Sequence, residues 1–307
     1  MKTIILDTDL GGDCDDVLAL DLILSAHKAG ECRLVGVTYS SDAKNAIPCI
    51  YAILKQHGLN DIPIGTCPIA DGIKVRGDVY ATAVAEAFPW PERPTYETVP
   101  RAVPLLRKLL TENEKVTIIT TGFMTNLAQL LKEEQELVRK HVEEIVIMGC
   151  NFSHQTGINP RDKQLMENGD VRPWLECNID SDIPAAQYAF AHFPVPVTIC
   201  PFEVGYKMIS GKPMREHGNG KTPDSMSFTV HGSINGRDSF DPATALYGIY
   251  GTKPWFYRSA PGNITITDDA LTHFYPDENG KFRIIECAMT PQEIASDIDK
   301  LVMRLFD

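Results

Sequence analysis

The feature that most constrains this 307-residue chain is a regular exchange of short apolar runs with longer segments of helical period. "KTIIL" is followed by "DDVLALDLILSAHKAG", whose closing glycine is a natural helix stop. "RLVGVTY" precedes "AKNAIPCIYAILKQHG" and the short "IPIG". Later, "KVTIITT" precedes "TNLAQLLKEE", "EEIVIMG" precedes a long loop, and "VPVTIC" follows "IPAAQYAFAHF". This order predicts an α/β fold, an open and mainly parallel sheet with helices on both faces. Such sheets bind ligands beyond the C-terminal ends of their strands. Two stretches break the rhythm, 67–100 and 151–173, and read as long functional loops. The tail, from "NITIT" through "RIIECA" to "PQEIASDIDKLVMRLF", reads as a hairpin plus a closing helix. No repeat, low-complexity tract or linker is visible, so a single domain over residues 1–307 is expected.

Charge narrows the partners. The net charge of −12 argues against an extended nucleic-acid surface, which wants a basic face. No apolar stretch has the length of a membrane span, and Asp7 interrupts the first apolar run, so neither a membrane anchor nor a signal peptide is expected. The eight cysteines are scattered, with no C-x-x-C pair, which points to reduced thiols and a cytoplasmic protein.

The chemistry concentrates in "DTDLGGDCDD", where Asp7, Asp9, Asp13, Asp15 and Asp16 crowd the turn between the first strand and the first helix. Helix capping accounts for one or two of them. Alternation along a strand puts Asp7 and Asp9 on one face, with Asp15 or Asp16 converging from the helix start. Two carboxylates about 4 Å apart repel by ~4 kcal/mol at an effective dielectric near 20. A shared proton or a hard cation, Ca²⁺ or Mg²⁺, relieves this. An EF-hand fits Asp7, Asp9 and Gly12 but fails at Leu18, where a bidentate acid is needed. A haloacid-dehalogenase-type phosphatase also opens on D-x-D, but wants Thr or Val where Gly11 stands.

The ordered motifs resemble those of the inosine–uridine nucleoside hydrolase family. "DTDLGGDCDD" matches its D-x-D-x-G-x-D-D signature with two extra residues before the paired acids. "TTGFMTNLAQLL", "EEIVIMGC", "LECNIDSDIPAAQ" and "SFDPATAL" match four further segments in the family's order, from residue 1 to about residue 250. The resemblance implies a nucleoside-hydrolase-like sheet with a Rossmann-like core and a Ca²⁺-dependent hydrolysis of N-ribosidic bonds. By it, Asp9, Asp16, Asp241 and the carbonyl of Thr121 would bind the ion. Asp7 would join that metal group as its support, and Asp9 would also be the general base. Asp15, Glu176 and Asn178 would hold the sugar, with Met148 lining its pocket. It further implies a homo-oligomer, dimer or tetramer, acting on a small nucleoside-like substrate. Taken singly, these residues have plain structural readings as caps, turn residues or core; their joint position at one sheet edge is what raises them.

The chain departs from the family pattern around the substrate. Phe240 stands where a histidine often precedes the last metal-binding Asp, so it offers no proton and reads as a stacking surface for a base. His231 lies nearby in sequence. Asp170 falls where an asparagine meets the ribose 5′ end, Cys177 replaces a common phenylalanine, and Asn45 is a substitute for a missing G-N pattern. Asp13 is unassigned. Two other functions remain open on the sequence: an Mg²⁺-dependent phosphohydrolase with Asp7 as nucleophile, and a ribose- or nucleoside-binding protein without turnover.

Overall fold

A computed structural model describes residues 1–68, 77–156, 163–165 and 171–307. β1 (Lys2–Thr8), β2 (Cys32–Tyr39), β3 (Ile64–Thr66), β4 (Val116–Thr120) and β5 (Val142–Met148) supply five strands of one sheet. They alternate with α1 (Asp15–Lys28), α2 (Ala46–Gln56), α3 (Ala81–Ala87), α4 (Ala102–Glu112) and α5 (Thr125–His141). The order is β3-β2-β1-β4-β5, continued by Val197–Cys200 and Phe282–Cys287, and each neighbouring pair is parallel. An antiparallel hairpin of Gly262–Ile266 and Thr272–Pro276 extends one edge, and Phe256–Arg258 pairs antiparallel with Phe282–Cys287. The α/β reading of the sequence therefore holds, as does the closing helix, Pro291–Met303. The hairpin partner of "NITIT", however, is Thr272–Pro276, and "RIIECA" joins the main sheet parallel to Val197–Cys200.

β1 is the pivot of this sheet. The chain leaves it toward β2 on one side and returns to it with β4 on the other, which opens a crevice beyond its C-terminal end. Ile4, Ile5 and Leu6 are wholly buried because both sheet faces are covered. On one face lie α1, α2 and the helices Phe240–Tyr250 and Pro291–Met303; on the other lie α4, α5 and Ile183–His192. α1 is buried from Asp15 through Ala26, all round its circumference. Each fully buried leucine in it contributes roughly 1.5–3 kcal/mol, so the helix that carries Asp15 and Asp16 is firmly anchored.

Three expectations need correction. The stretch 67–100 is not one loop: α3 lies within it, short and alanine-rich, its period hidden between prolines and aromatics. The stretch 151–173 holds a short helix, Ser153–Thr156, and paired strands Lys163–Leu165 and Val171–Pro173. Finally, "SFDPATAL" begins its helix at Phe240, so Asp241 is the second helical residue and not the cap.

Candidate active site

The crevice at the end of β1 is a cavity of about 290 Å³ whose walls include Asp9, Asp15, Asp16, Thr121, Asn178 and Asp241. The loop from Asp9 to Cys14 is held from outside by the buried Tyr80 ring. Its hydroxyl accepts from the Gly11 N–H at 3.0 Å and donates to the Asp13 carbonyl at 2.9 Å. Gly11 has φ of +134°, a backbone region that glycine tolerates and other residues resist.

The cap residue of α1 is Cys14, which makes no side-chain cap bond. Asp15 instead accepts from the backbone N–H groups of Phe240 (3.0 Å) and Asp241 (3.1 Å), capping the distant helix Phe240–Tyr250. This places Asp241 against the acidic loop. Asp16 accepts from the Thr8 hydroxyl at 2.5 Å and the Thr121 hydroxyl at 3.0 Å, bridging the ends of β1 and β4.

Asp7 stands apart from its neighbours. β1 ends at Thr8, so strand alternation stops before Asp9 and the two acids do not share a surface. The Asp7 carboxylate is wholly buried below the cavity and is not among its walls. It accepts from the Thr38 hydroxyl at 2.5 Å, Asn126 Nδ2 at 2.8 Å and the Thr120 hydroxyl at 3.4 Å. Burial pushes its carboxyl up to about 6 despite those bonds. Asp7 thus ties β1, β2, β4 and α5 together beneath the site.

Burial pushes the carboxyls of Asp15, Asp16 and Asp241 well above the usual range. Their mutual repulsion, with that of Asp9 and Asp13, adds to it. An arrangement so rich in carboxylate oxygen fits a hard divalent cation, whose charge would offset the repulsion. Thr121 adjoins this group through its hydroxyl, while its carbonyl accepts from Asn178 Nδ2 at 2.9 Å. The same amide reaches the Met148 carbonyl at 3.1 Å, so Asn178 spans the ends of β4 and β5. Glu176 is a cap: its carboxylate accepts from the backbone N–H groups of Asn178, Ile179 and Cys150, and it borders the cavity from that position. Asn45 lies away from these walls, bonded to Thr82, and Asp170 lies outside the described residues.

The remaining wall is aromatic and cationic. Phe240 stacks on Phe202 with ring centres 5.1 Å apart, and Trp174 also lines the cavity. Asp13, unassigned from the sequence, holds Arg237 through both carboxylate oxygens, at 2.6 Å to Nη2 and 2.9 Å to Nε. His231 Nε2 lies 3.6 Å from Asp13, and burial holds its imidazole below the usual range. Arg237 was not foreseen. It enters on a two-residue strand paired with Ile209–Ser210, and its sequence signal was the extra acid in the first loop, which calls for a counter-charge.

Gly122 marks how tightly β1 and β4 converge. A Cβ there would lie 2.7 Å from the Asp9 nitrogen and against the Ser40 hydroxyl. Gly122→Ala is expected to destabilise the fold by about 1–3 kcal/mol, read by urea unfolding, because backbone must move to admit the methyl. Unchanged stability would show slack between the two strand ends.

Residues 4–277 match the family described as inosine-uridine preferring nucleoside hydrolase. The chain belongs to this family. It is 30% identical over 214 residues to the pyrimidine-specific ribonucleoside hydrolase RihA of Photobacterium profundum, an alignment covering 67% of this chain and 62% of that protein. The chain thus spans somewhat under two thirds of the length of that relative. Among solved structures, the purine-preferring ribonucleoside hydrolase of Gardnerella vaginalis superposes with a TM-score of 0.69 at 18% identity, covering 99% of this chain and 98% of the other. The inosine-uridine preferring nucleoside hydrolase of Bacillus anthracis gives 0.68 at 17% identity, covering 99% of each chain. These structures establish a shared fold. Among the described residues, no helix is long and apolar enough to cross a membrane.

Proposed function

We propose that this protein hydrolyses the N-ribosidic bond of a nucleoside or a related ribosylated small molecule, releasing the base and ribose. The observation that carries this reading is the convergence of Asp9, Asp15, Asp16 and Asp241 with Phe202, Phe240 and Trp174 on the walls of one cavity. Asp9, Asp16, Asp241 and the Thr121 carbonyl would hold Ca²⁺. The bound ion would supply an acidified water next to the sugar. Asp9 takes the proton from that water as it attacks. Asp15 and Asn178 orient the ribose hydroxyls, with Glu176 fixing the backbone that presents Asn178. As the bond breaks, positive charge builds on the sugar, and the fixed carboxylates stabilise it. Phe240, Phe202 and Trp174 form a stacking surface for the base. We place the protein in the cytoplasm, as one domain assembling into dimers or tetramers.

Activation of the leaving base falls to Arg237, the one Lys or Arg among the described residues of the cavity walls. Its charge stabilises the negative charge that a departing base acquires. Arg237→Ala is expected to lower kcat for nucleosides by roughly 10²–10³-fold, the range for loss of one electrostatic donor. A nitrophenyl riboside, whose leaving group needs no such help, should be cleaved nearly as before. Equal losses on both substrates would remove this role.

The phosphohydrolase reading meets a structural obstacle: its nucleophile, Asp7, is sealed beneath Thr38, Thr120 and Asn126. The decisive experiment incubates metal-loaded protein with a panel of purine and pyrimidine nucleosides between about pH 5 and 9, the range in which general bases are tuned, and assays free ribose. Absence of cleavage, with ligand-induced thermal stabilisation, would replace the hydrolase reading with a binding protein.

A further inference from the structure

Away from the cavity, three elements bring a second set of metal-ligating side chains together. Asp21 lies midway along α1 and is completely buried, and among the described residues neither of its carboxylate oxygens has a hydrogen-bond partner. His57, at the C-terminal end of α2, is buried with Nε2 likewise unpartnered. Asp224 opens the helix Pro223–His231 and is also completely buried. His57 Nε2 lies 3.7 Å from Asp21 Oδ1 and 3.6 Å from Asp224 Oδ2, and one ligating atom from each residue falls within 4.8 Å of the others.

These separations are too long for hydrogen bonds, which need about 2.7–3.2 Å between nitrogen and oxygen. They are close to the edges of a tetrahedron around a small cation: bonds of about 2.0–2.2 Å place neighbouring ligand atoms ~3.4 Å apart. We propose that Asp21, His57 and Asp224 form a Zn²⁺ site, separate from the acidic cavity, that clamps α1 to α2 and to the helix Pro223–His231. An imidazole with two carboxylates suits zinc, whereas Ca²⁺ and Mg²⁺ seek more oxygens. The site is already braced as such sites are. Asp224 Oδ2 accepts from Gln56 Nε2 at 2.8 Å, and Oδ1 accepts from the Ser225 N–H at 2.7 Å and from the Thr222 hydroxyl. The Phe306 ring packs edge-on against His57, with centres 5.4 Å apart, and covers that side with hydrocarbon. Because α1 also carries Asp15 and Asp16, the clamp would steady the helix that builds the acidic wall.

The test uses the full chain, stripped of metal and then saturated with Ca²⁺ so that the acidic cavity is filled. Zn²⁺ is titrated in equilibrium dialysis, and Co²⁺ in parallel, for the strong visible absorption of a tetrahedral site. One equivalent of tightly bound Zn²⁺ beyond the calcium is expected, with a rise in Tm of about 5 °C at a hundredfold excess over Kd. Asp21→Asn and His57→Gln should each abolish that equivalent and the cobalt spectrum. His231→Gln should not, which separates this site from the nearby Asp13, Cys14 and His231 group. Asp21→Asn keeps the shape and removes a buried charge, so it is expected to fold without zinc. Failure to bind the extra equivalent, or its retention in either Asp21→Asn or His57→Gln, would overturn the proposal. A metal-free Asp21→Asn protein more stable than the zinc-titrated parent would also count against it, as a pocket that relies on protons or water.

Discussion

Replacing Asp9 by alanine is expected to reduce kcat by about 10²–10⁴-fold at saturating metal, the usual worth of a positioned general base. Asp9 follows directly on β1, and the loop behind it is held by Tyr80, so its carboxylate stays beside Asp16 and Asp241 on the cavity wall. The loss should appear chiefly in kcat, because the proton transfer belongs to the transition state, while the proposed sugar contacts of Asp15 and Asn178 are left in place. Asp9 is also a proposed metal ligand, so the comparison is made with Asp9→Asn, which keeps an oxygen for the ion and has no basic carboxylate. Both variants should be inactive while metal binding is weakened most in Asp9→Ala. Full turnover in either, at saturating metal, would take the base role away from Asp9.

Stripping divalent cations with a chelator should abolish turnover and lower Tm, and adding Ca²⁺ back should restore both. The cause lies in the crowding of the buried Asp15, Asp16 and Asp241 with the half-buried Asp9, whose charges repel one another. A pair of such charges about 4 Å apart costs ~4 kcal/mol at an effective dielectric near 20. An ion present at a hundred times its Kd stabilises the folded state by about 2.7 kcal/mol, worth roughly 5 °C in a protein of this size. Mg²⁺ should restore less, since it holds its own waters and demands octahedral geometry. Turnover that survives exhaustive chelation would eliminate the cation from the mechanism.

The individual acids show what a linear reading can and cannot reach. Their number and spacing were enough to mark a site at the end of β1, because so many like charges beside an apolar strand need an explanation in any fold. Their separate tasks were not legible. Alternation along β1 grouped Asp7 with Asp9, yet the strand stops between them, and Asp7 serves the core through Thr38, Thr120 and Asn126. Asp15 caps a helix more than two hundred residues away, a contact that no local pattern encodes. Asp13 had no reading until the fold delivered Arg237 to it.

From sequence alone came the strands and helices of strong period, the parallel character of the sheet and the family, because hydrophobic period and motif order are local properties of the chain. The tertiary structure alone decided which acids face the cavity, which serve as caps or core ties, and that Arg237 stands among aromatic walls. Those outcomes depend on crossovers that return β4 and the helix Phe240–Tyr250 to the end of β1, joining residues far apart in the chain. Asp21, His57 and Asp224 belong to the same class: unremarked in three separate helical patterns, they become a single cluster only when α1, α2 and a later helix pack together.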